Sequence, residues 1–377
     1  MYRILAITQH RGGGQAVAPV LKMLHKNGYQ LKIVALRPSY EAYVGVDFSF
    51  MTGEPNKTRE RTKQIAYNLF QTLDLDLLLT GTSSQDVNIP LTLEQAATLE
   101  ARAYDIPSLA IQDMWGSHSR RYSDLPEADN RRYVPDKIAV QDTYARDQMI
   151  AEGFHPEQLV VTGNPYFDDI GQLLGEWTPE KKEEVRGKLQ LASTDQVMLY
   201  GSGPINHHFG TEKGYTEVTA LDELLKTMSA HDNYRDHTVV IRPHPLEKKD
   251  GLTGLQEVAA KYDIPTRFDM GEITPREAIL MADTVTTYHL STMLLESVLL
   301  GRICISLTPG LDPVEDTAVT NQQRITLPVY SHGELFETLS HINDAETRAQ
   351  LIERGKQLQP DGQATQRVVQ LIYDMLQ

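Results

Sequence analysis

Apolar and polar positions along the first half of the chain recur in one order: a β-rich apolar run, a turn, then apolar residues at helical spacing. That order is the pattern of a parallel sheet with crossover helices. It predicts strands at Tyr2–Thr8, Gln30–Leu36, Leu75–Thr80, Ser108–Ile111, Lys137–Val140 and Leu159–Thr162, and helices at Ala16–Lys26, Thr58–Thr72, Leu93–Ala103 and Thr143–Glu152. Gly28, Pro107 and Gly153 stand where caps and turns are needed. After Gly163-Asn164-Pro165 the pattern weakens into a charged stretch ending in TPEKKEEVRGKL, with Pro179 at a helix start, and a domain boundary is expected there. A second alternating series follows: Gln196–Tyr200, Thr216–Met228, His237–Arg242, Gly254–Tyr262, Pro275–Met281, Asp283–Thr286, Ser291–Leu299 and Ile303–Leu307. Gln363–Leu376 reads as an amphipathic helix that either half could accommodate. No short fixed repeat occurs, which argues against a solenoid or propeller. The expectation is α/β: one domain over residues 1–165, a second over 166–362, and a closing helix over 363–377.

Composition supports two ordinary cores. A chain of 377 residues exceeds what one core usually supports, and 40% hydrophobic with 23% charged residues is globular usage. The formal charge of -15 repels polyanions, so no nucleic-acid or anionic-lipid partner is expected and any phosphate must be met locally. The apolar run in MYRILAITQHRGGG is too short for a signal-peptide core or a membrane span, so a cytoplasmic protein without stable membrane insertion is expected. The single cysteine, Cys304, cannot form an intrachain disulfide or a thiolate cluster and reads as a core residue.

Three segments carry candidate chemistry. Thr8-Gln9-His10-Arg11 leads into Gly12-Gly13-Gly14 before a helix, where glycines let backbone N–H groups approach an anion. Neither a dinucleotide fingerprint nor a Walker loop is present, and a flexible strand-to-helix turn explains the same residues. In Arg242-Pro243-His244-Pro245 two prolines fix the backbone around His244 at the end of a strand, beside Arg242, a pair suited to phosphate. In ADTVTTYHLSTMLLESVLLGRICISL a short strand leads through a polar turn to a helix whose first turn carries Ser291 and Thr292, an anion site of the kind a diphosphate occupies. Glu296, further along that helix, is placed to accept from ribose hydroxyls; the plainer reading makes Ser291 a cap and Glu296 a solvated residue.

Taken in order, RPHP, then S-T-x-x-x-E in an apolar helix before Gly301, then Asp361-Gly362-x-Ala364 opening the last helix, the chain resembles the GT-B superfamily of nucleotide-sugar enzymes. Within it the likeness is to UDP-N-acetylglucosamine 2-epimerase-like and CDP-glycerol glycerophosphotransferase-like proteins of surface-polysaccharide biosynthesis, and the His-Pro pair is similar to that of bacterial sialyltransferases. KIAVQDTYARDQMIAEGF followed by LVVTGNPYFD resembles the passage between the two domains of such proteins. At Tyr288-His289 the chain departs from the Asp-Tyr-Ser-Ser of the glycerophosphotransferases, and the full set of epimerase carboxylates is not recognisable.

The resemblance implies two Rossmann-like domains of GT-B type with an interdomain cleft, nucleotide on the second and acceptor on the first, the last helix crossing back. It gives nucleotide roles to His244, Ser291, Thr292 and Glu296, a diphosphate-lining role to Gly201-Ser202-Gly203, and no need of a metal or other cofactor. An inverting transfer needs a base from the acceptor side, for which Asp113, His10 and His118 are the candidates; Trp115 could stack on a sugar, and Arg11, Arg120 or Arg121 could hold an anionic acceptor. His207 and His208 are further candidates that read equally as exposed loop residues. The implied activity is a metal-independent glycosyl or related transfer from a nucleotide-activated sugar or polyol to a glycan or small acceptor. The alternatives are a UDP-N-acetylhexosamine 2-epimerase, hydrolysing or not, and a non-catalytic nucleotide- or glycan-binding protein of the same fold. A homodimer is compatible with each.

Overall fold

The structure is a computed structural model that describes residues 2–46, 49–85, 88–116, 118–125, 130–247 and 252–377. The chain forms two compact units, Met1–Gly171 together with Pro360–Gln377, and Gln172–Gln359.

The first unit is built on β1 (Arg3–Thr8), β2 (Gln30–Leu36), β3 (Met51–Gly53), β4 (Leu77–Thr80), β5 (Ser108–Ile111), β6 (Lys137–Val140) and β7 (Leu159–Val161). They form one parallel seven-stranded sheet in the order β3-β2-β1-β4-β5-β6-β7. Strand order reverses between β1 and β4. Side chains of β1 alternate across the sheet as the two-residue strand period requires. Ile4 and Ala6 meet Val17, Leu21 and Leu24 of helix α1 (Arg11–Lys26), whereas Leu5 and Ile7 meet Ala66 and Phe70 of α2 (Arg59–Thr72) and Ala96 and Ala97 of α3 (Leu93–Ala103). With both faces covered, β4 reads Leu-Leu-Leu-Thr without alternation. The helix Ala364–Met375 adds Val368 and Ile372 to the core beside α1. Its start is capped from a distance: the Asp168 carboxylate accepts the N–H groups of Ala364 (2.9 Å) and Thr365 (2.7 Å). Gly362, with φ +73°, makes the preceding turn; a Cβ there would lie 3.2 Å from the Asp168 carbonyl oxygen.

The second unit holds β8 (Gln196–Gly201), β9 (His237–Arg242), β10 (Thr266–Phe268), β11 (Thr284–Thr287), β12 (Cys304–Leu307) and β13 (Leu327–Val329). They pair in parallel in the order β10-β9-β8-β11-β12-β13, so the reversal falls between β8 and β11. Its core is made from Met198, Val239, Ile241 and Ile305 of the sheet with Leu221, Leu224 and Leu225 of the helix Glu217–Ala230. Cys304 lies in this core and burial pushes its thiol up to about 12, which keeps it an inert neutral thiol. Among the described residues no helix is long and apolar enough to cross a membrane.

Two α/β units with parallel sheets are what the apolar pattern predicts. The glycine run is the main local correction. Helix α1 starts at Arg11 rather than Ala16, so Gly12–Gly14 form its first turn and not a loose strand-to-helix turn. The reason is tertiary: a Cβ on Gly14 would stand 2.7 Å from the Ser39 carbonyl oxygen, and one on Gly13 would stand 3.3 Å from Gly81 Cα. Glycine is a poor helix former in isolation, but here only glycine lets the helix start this close to its neighbours.

Candidate functional site

In open parallel sheets ligands bind beyond the carboxyl ends of the strands where strand order reverses. Each unit carries a buried polar cluster at that place.

In the second unit β8 runs into Gly201-Ser202-Gly203. A Cβ on Gly203 would lie 2.0 Å from Tyr288 Cε1, and one on Gly201 would lie 2.4 Å from Met293 Sδ, so the glycines admit the residues that follow β11. Close by, β9 delivers His244 between its prolines. The His244 N–H donates to Glu247 Oε2 (2.5 Å), and the Ser202 hydroxyl donates to Glu247 Oε1 (2.7 Å). Glu247 thus joins the loops after β8 and β9. It is 4% exposed, and burial pushes its carboxyl up to about 7 against those two hydrogen bonds. The Leu246 N–H donates to His244 Nδ1 (3.3 Å), which leaves Nε2 as the protonated, donating nitrogen of the neutral ring.

Ser291 caps the helix Thr292–Leu299, its hydroxyl accepting from the Met293 N–H (3.2 Å), while Thr292 is exposed in the first turn. Glu296 is buried rather than solvated; its Oε2 accepts from Arg276 Nε (3.0 Å). Arg242 is turned to the fully buried Asp269, with which it pairs, and to the Ile273 carbonyl (2.9 Å), so its charge is answered there. His289 is buried with Nδ1 3.2 Å from the Tyr215 hydroxyl, and burial holds its pKa below the usual histidine value. His207 and His208 are exposed on the short helix Ile205–Phe209.

In the first unit the cluster spans β1, β4 and β5. Glu94 of α3 accepts the Gln9 N–H on Oε1 (3.1 Å) and the Ser83 N–H on Oε2 (2.7 Å), tying the loop after β1 to the loop after β4. The His10 N–H adds a bond to Ser83 Oγ (2.9 Å). Burial pushes the Glu94 carboxyl up to about 7, opposed by the Ser83 and Gln9 hydrogen bonds and helped by the charge of Asp113. Asp113, just beyond β5, accepts on Oδ1 from Thr82 Oγ1 (3.0 Å) and Arg121 Nη1 (3.1 Å), and Arg121 also donates to the Thr82 carbonyl (2.5 Å). Thr80, Thr82, Glu94, Arg121 and Tyr122 contribute to the walls of a cavity of about 10 Å³, room for roughly one water.

The structure therefore brings His10 and Asp113 to one sheet edge, with Gly13 in the helix turn beneath. His118 lies beside Gln112, the residue before Asp113. It is 1% exposed, with Nδ1 2.7 Å from Gln112 Nε2 and Nε2 accepting from the Gly116 N–H (3.2 Å); burial lowers its pKa, and its ring is spent on the fold. The Trp115 indole N–H donates to Asp142 (2.7 Å), and the ring packs against the cluster of Ile138 and Val140. Arg120 is exposed, and Arg11 is exposed 3.7 Å from Glu41.

Sequence reasoning missed Glu94, Thr82, Ser83, Glu247 and Arg276. Glu94 lies inside the capping box made by Thr92 and Gln95 and reads as an ordinary acidic residue at a helix start. The only sequence signal for Glu247 is a carboxylate three residues after His244, the reach-back spacing of a capped turn.

Two doubly wound parallel units, each with its polar cluster at the point of strand reversal, make this the GT-B fold. No family model and no curated protein matches the chain. Among solved structures it is similar to the S. aureus MnaA–UDP co-structure (TM-score 0.71, 17% identity, covering 100% of this chain and 98% of that one). It is similar to the UDP-GlcNAc 2-epimerase from Neisseria meningitidis bound to UDP-GlcNAc (TM-score 0.68, 16% identity, 99% and 100% coverage). It is also similar to MurG of Acinetobacter baumannii (TM-score 0.61, 13% identity, 99% and 100% coverage).

Proposed function

We propose that the protein is an enzyme acting on a UDP-linked N-acetylhexosamine, with epimerisation at the sugar's second carbon as the reaction. The observation that carries this reading is the cluster at the β8–β11 reversal. There a donating imidazole nitrogen follows β9, and a serine-capped helix start with a buried carboxylate follows β11, in a fold whose solved relatives include structures bound to UDP and UDP-GlcNAc. In this reading His244 Nε2–H and the first amides of the helix Thr292–Leu299 meet the diphosphate oxygens, and Glu296 accepts from the ribose hydroxyls. Asp113 is the proposed base, because Oδ1 is fixed by Thr82 and Arg121 and the carboxylate is held in one orientation; His10 is the second candidate.

UDP in large excess over its dissociation constant should raise the unfolding free energy, by about 2.7 kcal/mol at a hundredfold excess, and His244→Ala should reduce the effect. Turnover of UDP-GlcNAc in heavy water should place deuterium at the second carbon. No stabilisation by any nucleotide in a panel would refute the reading.

Transfer to an acceptor is the second reading, supported by the likeness to MurG and to the glycotransferase of kitacinnamycin (TM-score 0.67, 12% identity). Consumption of UDP-sugar only with an acceptor present, without solvent exchange, would select it. Nucleotide binding with neither reaction would select a binding protein.

A further inference from the structure

We infer that Glu247 is the positioning residue of the nucleotide site, acting on the ligand through His244 as a neutral carboxylic acid rather than as a carboxylate. This rests on the proposed function and adds to it a residue and a protonation state.

The geometry has two parts. Glu247 reaches back across its own turn to take the His244 N–H at 2.5 Å, and its second oxygen is 2.7 Å from the Ser202 hydroxyl. Pro243 and Pro245 restrict the backbone on both sides of His244, but a restricted turn still needs an anchor to the sheet, and Glu247 is the side chain that joins it to the loop after β8. Leu246, between them, donates to Nδ1 and selects the ring tautomer. The position of the imidazole is thus set by a four-residue turn, His244 to Glu247, whose two ends are clipped together by Glu247.

The partners allow the neutral form. His244 N–H can only donate, so it requires an acceptor; the Ser202 hydroxyl can either donate or accept. A protonated Glu247 satisfies both, its carbonyl oxygen accepting from His244 and its O–H donating to Ser202. Among the described residues, Tyr200, Tyr288 and Glu217 are the other ionisable groups around it, and none of them is a cation that would offset a buried negative charge. A neutral acid also avoids a second anion next to a bound diphosphate, and burial already moves the group toward that form.

Glutamine has the same hydrogen-bonding capacity as the neutral acid at this site: its oxygen accepts from His244 and its amide donates to Ser202. Alanine has none. The test is UDP binding by titration calorimetry at pH 6 for the wild type, Glu247→Gln, Glu247→Ala, His244→Ala and Glu247→Ala/His244→Ala, with the melting temperature of each. Glu247→Gln should bind UDP within about threefold of the wild type, and Glu247→Ala about tenfold more weakly, the cost of an orphaned buried donor. In the His244→Ala background Glu247→Ala should have no further effect on affinity, which a general loss of packing would not reproduce. Should Glu247→Ala fail to fold, Glu247→Asp, one methylene shorter, takes its place in the same cycle. Equal losses from Gln and Ala, or a full effect of Glu247→Ala without His244, would overturn the inference. A wild type that does not bind UDP would instead remove the proposed function.

Discussion

Asp113 and Gly12 are in direct steric register: a Cβ on Gly12 would come within 2.1 Å of Asp113 Oδ2, while Thr82 and Arg121 hold the other oxygen. The first turn of α1 is therefore shaped around a carboxylate from the end of β5. Gly12→Ala gains about 1 kcal/mol of helix propensity and must displace the carboxylate to do so. Stability in urea should change by less than about 1 kcal/mol, whereas displacing the proposed base should lower turnover by ~100-fold.

Gly14→Ala makes the opposite comparison. Its Cβ meets a backbone oxygen of Ser39 at 2.7 Å, an atom that cannot rotate away. The expected loss is about 2 kcal/mol of stability, read from the urea midpoint at unchanged slope.

The buried Glu247 carboxyl imposes a pH dependence with a definite sign. Its folded pKa is raised from an ordinary 4.5 to about 7, so the folded state binds the proton more tightly than the unfolded chain. The resulting stability is fully present below pH 4.5 and is lost as pH rises through 7. The shift corresponds to about 3 kcal/mol. Glu247→Gln keeps the neutral shape at every pH, so its stability should fall less than that of the wild type between pH 5 and pH 8, by about that amount. Urea unfolding of both proteins at the two pH values measures it.

Removing Arg276 should expose the cost of a buried carboxylate. Arg276→Met takes the guanidinium from Glu296, which is 6% exposed, and should cost about 3 kcal/mol at pH 7. Adding Glu296→Gln should recover part of the loss, which a double-mutant cycle in urea would register.

Asp168→Ala removes the remote cap of the last helix, both of whose first amides it accepts. A loss of about 1–2 kcal/mol is expected, with hydrogen exchange of residues 364–375 accelerated ahead of the sheet.

The sequence made the architecture legible where an apolar run is bounded by turn residues. The spans Gln30–Leu36, Ser108–Ile111, Lys137–Val140 and His237–Arg242 coincide with β2, β5, β6 and β9, and Leu93–Ala103 coincides with α3. It hid the edge strands β3, β10 and β13, each three residues long, while the fourth edge strand, β7, equally short, was readable from the apolar run Leu159-Val160-Val161. It also hid the helices His332–His341 and Ala345–Lys356, although Ser331 and Glu334 form a capping box at the start of the first. Of the candidate site, the strand-end segments were readable because prolines, glycines and a helix cap mark them. Glu94 and Glu247 were not, because a lone acid acquires its meaning only from the N–H groups that folding places around it.

The helix Ala364–Met375 belongs to the first unit although the whole of the second lies before it in the chain. On the ribosome the second unit can close as soon as it emerges. The first must wait, with the apolar side of α1 uncovered, until residues 364–375 have been joined, so chaperone engagement during synthesis should centre on the first unit.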